Sequence, residues 1–339
     1  MITRDLVIIG GGPAGLTAGI YASRAQINTL MIEKAAPGGQ LNETTEVENY
    51  PGFAEPIQGP ELMSRMSEQA QRFGLEIRME EAKGIEFSDA PNGMHIITTD
   101  EDVVGAKTII VATGAHALHL SVEGAERLAG HGVSYCATCD GFFFKDKRLV
   151  MVGAGDSGLT EALFLTRYAK EVNLVVRHPK DDPKAIRAKD KLLREQVLQH
   201  PKIKVLWNVV LHEIKGSDKV TSVVLEDLGA GKRVTLDGID GVFAAIGHKP
   251  ATDFLKGKLD TDEKGYLITD MRTRTKVPGV YAVGDVRQFS GSYAQAAIAV
   301  GDGCIAALEV QKYLGNGKWM EDQLSRQVLH LARLMPSAH

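Results

Sequence analysis

Along the chain, short aliphatic runs alternate with glycine-rich turns and with segments whose apolar residues recur at helical spacing. Residues 6–9 form such a run, Gly10, Gly12 and Gly15 come next, and 14–23 then carries a helical pattern, which reads as strand, tight turn and helix. Residues 28–32 supply a second aliphatic strand ending at Glu33, completing a βαβ unit of the length used to hold a dinucleotide. The same grammar returns as a strand at 148–152, a Gly-Ala-Gly-Asp-Ser-Gly turn at 153–158, a helix at 159–169 and a strand at 171–176. Residues 107–113, closing on Gly114, and residues 241–247 each read as a buried strand able to close one of these units. A last aliphatic strand at 280–284, which contains Gly284, precedes Asp285 and a helix at 295–314. If the second βαβ unit is an insertion, these last elements return to the first domain. The expected organisation is a domain of 1–117 and 248–318 interrupted by a domain of 118–247, with crossings near 115–120 and 245–250 and a tail at 319–339. In the tail Leu324, Val328, Leu331 and Leu334 have the spacing of a short amphipathic helix.

The 339 residues carry 39 basic and 43 acidic side chains, a net charge of −4, with 44% hydrophobic and 24% charged residues. That is the balance of a globular chain with a large core, long enough for two domains. No basic excess points to nucleic acid, and no apolar run reaches the roughly 18 residues of a membrane span. The first residues pass straight into an apolar run that ends in glycines, without the small-residue cleavage site of an export signal, so a cytoplasmic protein is expected. Three cysteines are too few for a disulfide framework, and two of them, Cys136 and Cys139, are separated by two residues. In a reducing compartment that spacing points to redox chemistry or to metal.

The turn at 10–15 reads Gly-Gly-Gly-Pro-Ala-Gly, including Pro13 and Ala14. In a Gly-x-Gly-x-x-Gly turn the first glycine makes the bend, the second lets a pyrophosphate approach the backbone, and the third lets helix and strand pack closely. The helix N-terminus then offers free N–H groups to the phosphates. Glu33 lies 21 residues past Gly12, where a carboxylate accepts from ribose hydroxyls; the bland alternative is an ordinary turn with a surface Glu. For the cysteine pair the readings are a redox-active couple whose thiolate attacks disulfides, a zinc site lacking two evident further ligands, or incidental buried thiols. Asp140 adjoins the pair as either a proton shuttle or a helix cap. At the second turn Gly153, Gly155, Asp156 and Ser157 are the phosphate candidates. Arg177, His178 and Arg187 then supply the cationic side chains expected after the second strand for a 2′-phosphate. Lys180-Asp181-Asp182 reads as a solvated loop.

Taken in order, these motifs resemble a family, the low-molecular-weight thioredoxin reductases. The resemblance rests on 10–15, Pro-Gly-Gly-Gln-Leu at 37–41, Thr-Glu-Val-Glu-Asn-Tyr-Pro-Gly-Phe at 45–53 and Ala-Thr-Gly at 112–114. It continues with Cys-Ala-Thr-Cys-Asp-Gly-Phe-Phe at 136–143, Ala-Ile-Gly-His-Lys-Pro at 245–250 and Gly-Asp-Val at 284–286. It implies an α/β fold of two Rossmann-like, three-layer ββα dinucleotide-binding domains, one inserted in the other, in a homodimeric flavoenzyme. It implies FAD held by the first turn with Glu33, Lys34, Gly39, Gln40, Leu41, Asn49, Thr113, Gly114, Gly284, Asp285, Gln295 and Ala296. It implies NADPH in the inserted domain, Cys139 facing the flavin, Cys136 attacking the disulfide of thioredoxin, and Asp140 as the acid. The inserted domain would turn about its two connecting strands so that one flavin face serves both partners.

Three departures from the family pattern stand out. Gly158 replaces an alanine in the second turn, although Glu161 remains in the helix after it. The usual His-Arg-Arg is reduced to Arg177 and His178, with Arg187 about five residues farther on than usual, and histidine does not reproduce the permanent, forked charge of a guanidinium. The usual Arg-Gln-Ala reads Ala294-Gln295-Ala296. The second departure leaves open a related enzyme with a degenerate NADPH site, fed by ferredoxin or another flavin. A non-catalytic flavin redox sensor is the third reading. In the tail, Trp319, His330 or His339 is expected either to cover the flavin or to belong to a frayed end or dimer contact.

Overall fold

The computed structural model describes residues 1–315 apart from Thr45, Asp89, Pro91, Asn92, Lys189, Lys256 and Ser292. The tail carrying Trp319, His330 and His339 lies outside the described residues. The chain divides into two compact units, Met1–His116 with the chain from Lys249 onward, and Ala117–His248. The two connections, Ala115–Ala117 and His248–Pro250, pair as a small two-stranded sheet.

In the first unit, parallel strands run in the order Glu76–Met79, Thr29–Glu33, Ile2–Ile9 and Val103–Val111, with Val280–Ala282 also parallel to the last. His95–Thr99 and Ala82–Glu86 continue the sheet as an antiparallel meander. Alternation along Ile2–Ile9 explains why the strand is covered on both faces. Leu6 and Ile8 pack with Leu16 and Ile20 of helix Pro13–Arg24, with Leu62 and Met63 of helix Gly59–Arg72, and with Ala306 and Val310 of helix Ala296–Gly315. Val7 and Ile9 face the other way, among Ile85, Ile97, Leu255 and Leu267.

The second unit repeats the plan. Its parallel strands run Val133–Ser134, Gly241–Ala244, Arg148–Val152, Glu171–Val176 and Ile203–Trp207. Leu149, Met151 and Leu174 face helix Asp156–Leu165 through Leu159, Ala162 and Leu165. Val150, Val175 and Val242 face the antiparallel sheet Val209–Lys215, Ser222–Asp227 and Lys232–Asp237 through Leu211, Ile214, Val223 and Leu225. Helix, parallel sheet and antiparallel sheet make three layers, and the fold is α/β as expected.

Several element ends differ from the sequence reading. The first strand begins at Ile2 because Ile2, Thr3 and Arg4 pair with Val104, Gly105 and Ala106, a ladder that a short aliphatic run does not announce. The third strand of that unit likewise covers Val103–Val111 and leaves the ladder before Thr113. The helix expected at 159–169 spans Asp156–Leu165. Its glycine-rich start is already helical, and its end tightens as Thr166, Arg167 and Tyr168 each donate to the carbonyl three residues earlier. Among the described residues no helix is long and apolar enough to cross a membrane.

Candidate active site

In the first unit the glycine turn is built by close contacts. Gly10 has φ +107°, and a Cβ there would lie 2.4 Å from the Ala112 carbonyl oxygen. A Cβ at Gly15 would lie 1.9 Å from the Gly10 carbonyl oxygen, so helix and turn approach more closely than any side chain permits. At Gly12 a Cβ would meet nothing within 4 Å. Gly12 is also the N-cap of helix Pro13–Arg24, and no side chain caps that end, so no side chain satisfies the first-turn N–H groups there. The Glu33 carboxylate accepts from the Gly11 N–H and, at 2.8 Å, from the Lys34 N–H. It therefore stands at the mouth of the turn, and Lys34 pairs with Glu81 at 3.3 Å.

Other expected residues gather around this turn. The Gly38 N–H donates to the Gly11 carbonyl at 2.9 Å, and a Cβ on Gly39 would stand 3.6 Å from the Gly12 Cα. The Gln40 amide donates to the Ala115 carbonyl, Thr113 Oγ1 donates to the Ala251 carbonyl at 2.8 Å, and Leu41 packs at the edge of the core. At Gly114 a Cβ would again meet nothing within 4 Å. A Cβ on Gly284 would stand 3.0 Å from the Ala14 Cβ, which brings Asp285 to the start of the first helix. Asn49 and Gln295 form their own pair at 3.2 Å, and Ala296 opens the last helix.

Burial and the neighbouring Asp302 push the Asp285 carboxyl up to about 6. Asp302 is a residue that sequence reasoning misses. It is buried, accepts from the Gly284 N–H at 3.0 Å and Ser290 Oγ at 2.5 Å, and pairs with buried Arg287 at 2.8 Å. It thus clamps the turn Gly284–Val286 that presents Asp285. Nothing in the sequence distinguishes Asp302 from a surface residue of the last helix.

The second unit repeats the turn. A Cβ at Gly153 would lie 2.4 Å from the Ala245 carbonyl oxygen, and one at Gly158 would lie 2.2 Å from the Gly153 carbonyl oxygen. There is no room for alanine at 158, which accounts for the glycine there. At Gly155 a Cβ would meet nothing within 4 Å, and helix Asp156–Leu165 starts without a side-chain cap, with Asp156 and Ser157 in its first turn. Arg177 and Arg187 are exposed, and the Arg187 N–H donates to the Ala154 carbonyl at 2.8 Å. His178 Nδ1 and Asp182 Oδ2 form a hydrogen bond of 3.0 Å. Asp182 is therefore not part of a merely solvated loop; turns at 179–185 fold the chain back and return its carboxylate to His178.

Cys136 and Cys139 form a disulfide with 5.3 Å between their Cα atoms. Cys136 is the N-cap of the one-turn helix Ala137–Asp140, and its carbonyl accepts from Cys139 and Asp140 N–H groups at 3.3 and 3.1 Å. This turn brings the two sulfurs together. Ser134 Oγ accepts from the Cys136 N–H at 3.1 Å, and Cys136 Sγ is 3.4 Å from Thr138 Oγ1. Asp140 stands at the N-cap of the short helix Gly141–Phe144 but its side chain makes no capping hydrogen bond; burial raises its carboxyl above the usual range, partly offset by a hydrogen bond from Ser134. Glu161, from helix Asp156–Leu165, accepts from the Ala137 N–H at 3.4 Å, and burial pushes its carboxyl up to about 7. Two carboxyls whose charged forms burial disfavours therefore flank the disulfide. In the sequence Glu161 reads only as a residue of the second helix, because 22 positions separate it from Cys139 and only the fold brings it to the pair.

The sequence pattern of the pyridine nucleotide-disulphide oxidoreductases matches residues 4–303. The chain belongs to that family. Within it, the chain is 44% identical over 317 residues to a thioredoxin reductase of Rickettsia felis, an alignment covering 92% of this chain and 99% of that one. It is also 44% identical to a thioredoxin reductase of Mycolicibacterium smegmatis, covering 92% and 96% of the two chains. The crystal structure of thioredoxin reductase from Streptococcus pyogenes superposes with a TM-score of 0.85 at 41% identity, covering 92% of this chain and 98% of that one. Family membership agrees with the two glycine turns and the paired cysteines.

Proposed function

We propose that the chain is a thioredoxin-disulfide reductase that takes electrons from NADPH by way of FAD. The observation that carries this reading is the Cys136–Cys139 disulfide on a one-turn helix flanked by two carboxyls, Asp140 and Glu161, that burial shifts upward. The high identity to relatives named thioredoxin reductase supports the choice of partner. The relatives named thioredoxin reductase do not favour a degenerate nucleotide site fed by ferredoxin or a non-catalytic sensor.

The first unit fits FAD. The open backbone at Gly12 and the uncapped helix suit the pyrophosphate, Glu33 suits ribose hydroxyls, and Asp285, brought to the start of the first helix, suits a hydrogen bond to the cofactor. When bound, FAD would supply acceptance of hydride from the nicotinamide and two-electron reduction of the disulfide. Opening the Cys136–Cys139 bond consumes those electrons and two protons, and Asp140 and Glu161 are the nearby proton reservoirs. Cys139 is assigned to the flavin side and Cys136 to thioredoxin. The Cys136 thiolate attacks one thioredoxin sulfur and the other leaves and takes a proton; Cys139 then attacks the Cys136 sulfur, restoring Cys136–Cys139 and expelling the first thioredoxin sulfur, which takes a second proton. Arg177 and Arg187 serve the coenzyme phosphates in the second unit, and the enzyme works as a homodimer.

Cys139→Ser tests the division of labour. Flavin reduction by NADPH should persist while thioredoxin turnover falls to background; retained turnover would sink the dithiol mechanism.

A further inference from the structure

The two nucleotide turns differ in the residues at and beyond the end of their second strand. In the first unit the residue 21 positions past the second glycine is Glu33, bonded to the turn itself. In the second unit the corresponding residue is Val176, buried, and exposed Arg177 comes next. A carboxylate nevertheless returns to this place from five residues beyond Arg177. Asp182 Oδ2 meets His178 Nδ1 at 3.0 Å, and Asp182 Oδ1 accepts from the Lys184 N–H at 2.8 Å. The second bond, with His178 beside it, holds the Asp182 carboxyl below its usual range. The Arg187 N–H to Ala154 carbonyl bond ties the far end of this loop to the glycine turn. The loop that would surround the adenosine ribose therefore offers two exposed guanidiniums and an imidazole already occupied by a carboxylate.

We propose that Asp182 is a coenzyme-specificity residue. By pairing with His178 it withdraws the imidazole from a 2′-phosphate and sets a negative charge in that phosphate's field, so the second unit discriminates only weakly between NADP+ and NAD+. This inference rests on the reading of the second unit as a pyridine-nucleotide site. A 2′-phosphate gains from each charge-assisted hydrogen bond and loses with each like charge nearby, whereas a 2′-hydroxyl is nearly indifferent to both.

The test is calorimetric titration of the oxidised, flavin-loaded full chain with NADP+ and separately with NAD+, in wild type, Asp182→Asn and His178→Gln. In Asp182→Asn the affinity for NADP+ should rise about tenfold while that for NAD+ stays within about twofold. In His178→Gln, which removes the imidazole beside the Asp182 carboxylate, the affinity for NADP+ should fall and that for NAD+ should hold. These opposite directions separate a charge effect from loop damage, which would weaken both variants alike. If both coenzymes bind and neither variant changes their affinity ratio, the role of Asp182 is overturned while the nucleotide site stands. If neither coenzyme binds any of the three proteins, the nucleotide reading itself falls and the inference with it.

Discussion

At the scale of single residues, burial shifts the Glu161 carboxyl upward. Its folded-state value near 7 lies above the ordinary 4.5, so the folded chain binds a proton that the unfolded chain has released. Stability from this group is undiminished below about 4.5 and is lost as pH rises through about 7. Glu161→Gln removes the charge while keeping an acceptor for the Ala137 N–H. The variant should exceed wild type in unfolding free energy by about 1–3 kcal/mol at pH 8 and match it near pH 4.5. Urea unfolding at the two pH values measures this, and parallel pH slopes would contradict it. The cysteine pair and both glycine turns are legible in the sequence because their spacing is local. Glu161, Asp182 and Asp302 are not, because their roles are set by the folded chain around them and a charged residue otherwise reads as surface.

At the scale of elements, one buried ion pair holds the turn that presents Asp285. Arg287 and Asp302 are 4% and 7% exposed at their side chains, and Arg287 Nη2 also donates to the Asp270 carbonyl at 3.1 Å. Truncating one partner of a buried pair strands the other charge, at about 3–5 kcal/mol. Asp302→Ala should therefore lower the urea midpoint of the flavin-free protein and weaken flavin retention, whereas Asp302→Asn, which keeps both acceptor and volume, should lose less. Equal loss in the two variants would reduce Asp302 to a packing residue. The strands Arg148–Val152 and Glu171–Val176 have the ends read from the sequence, since both are largely apolar runs bounded by turns. The strands Ile2–Ile9 and Val103–Val111 do not, because their outer halves include polar and small residues and are set by pairing with each other.

At the scale of the whole molecule, two units of the same plan share one chain, and each carries one uncapped helix behind a glycine turn. The repeat is legible because each unit restarts the same order of strand, turn, helix and strand. The antiparallel sheet at 209–237 in the second unit is not, because its strands mix apolar with polar residues, Lys232–Asp237 being mostly exposed, and stand outside that repeated order. Both units and the disulfide serve one proposed task, passing electrons from NADPH to thioredoxin through the paired cysteines. The most direct measurement tracks oxidised-flavin absorbance and thioredoxin thiols together, under anaerobic conditions, as NADPH is added to the flavin-loaded protein with oxidised thioredoxin. Flavin should be reduced rapidly, with one thioredoxin disulfide opened for each NADPH consumed. A flavin that dithionite reduces but neither NADPH nor NADH does, with thioredoxin left oxidised, would contradict it.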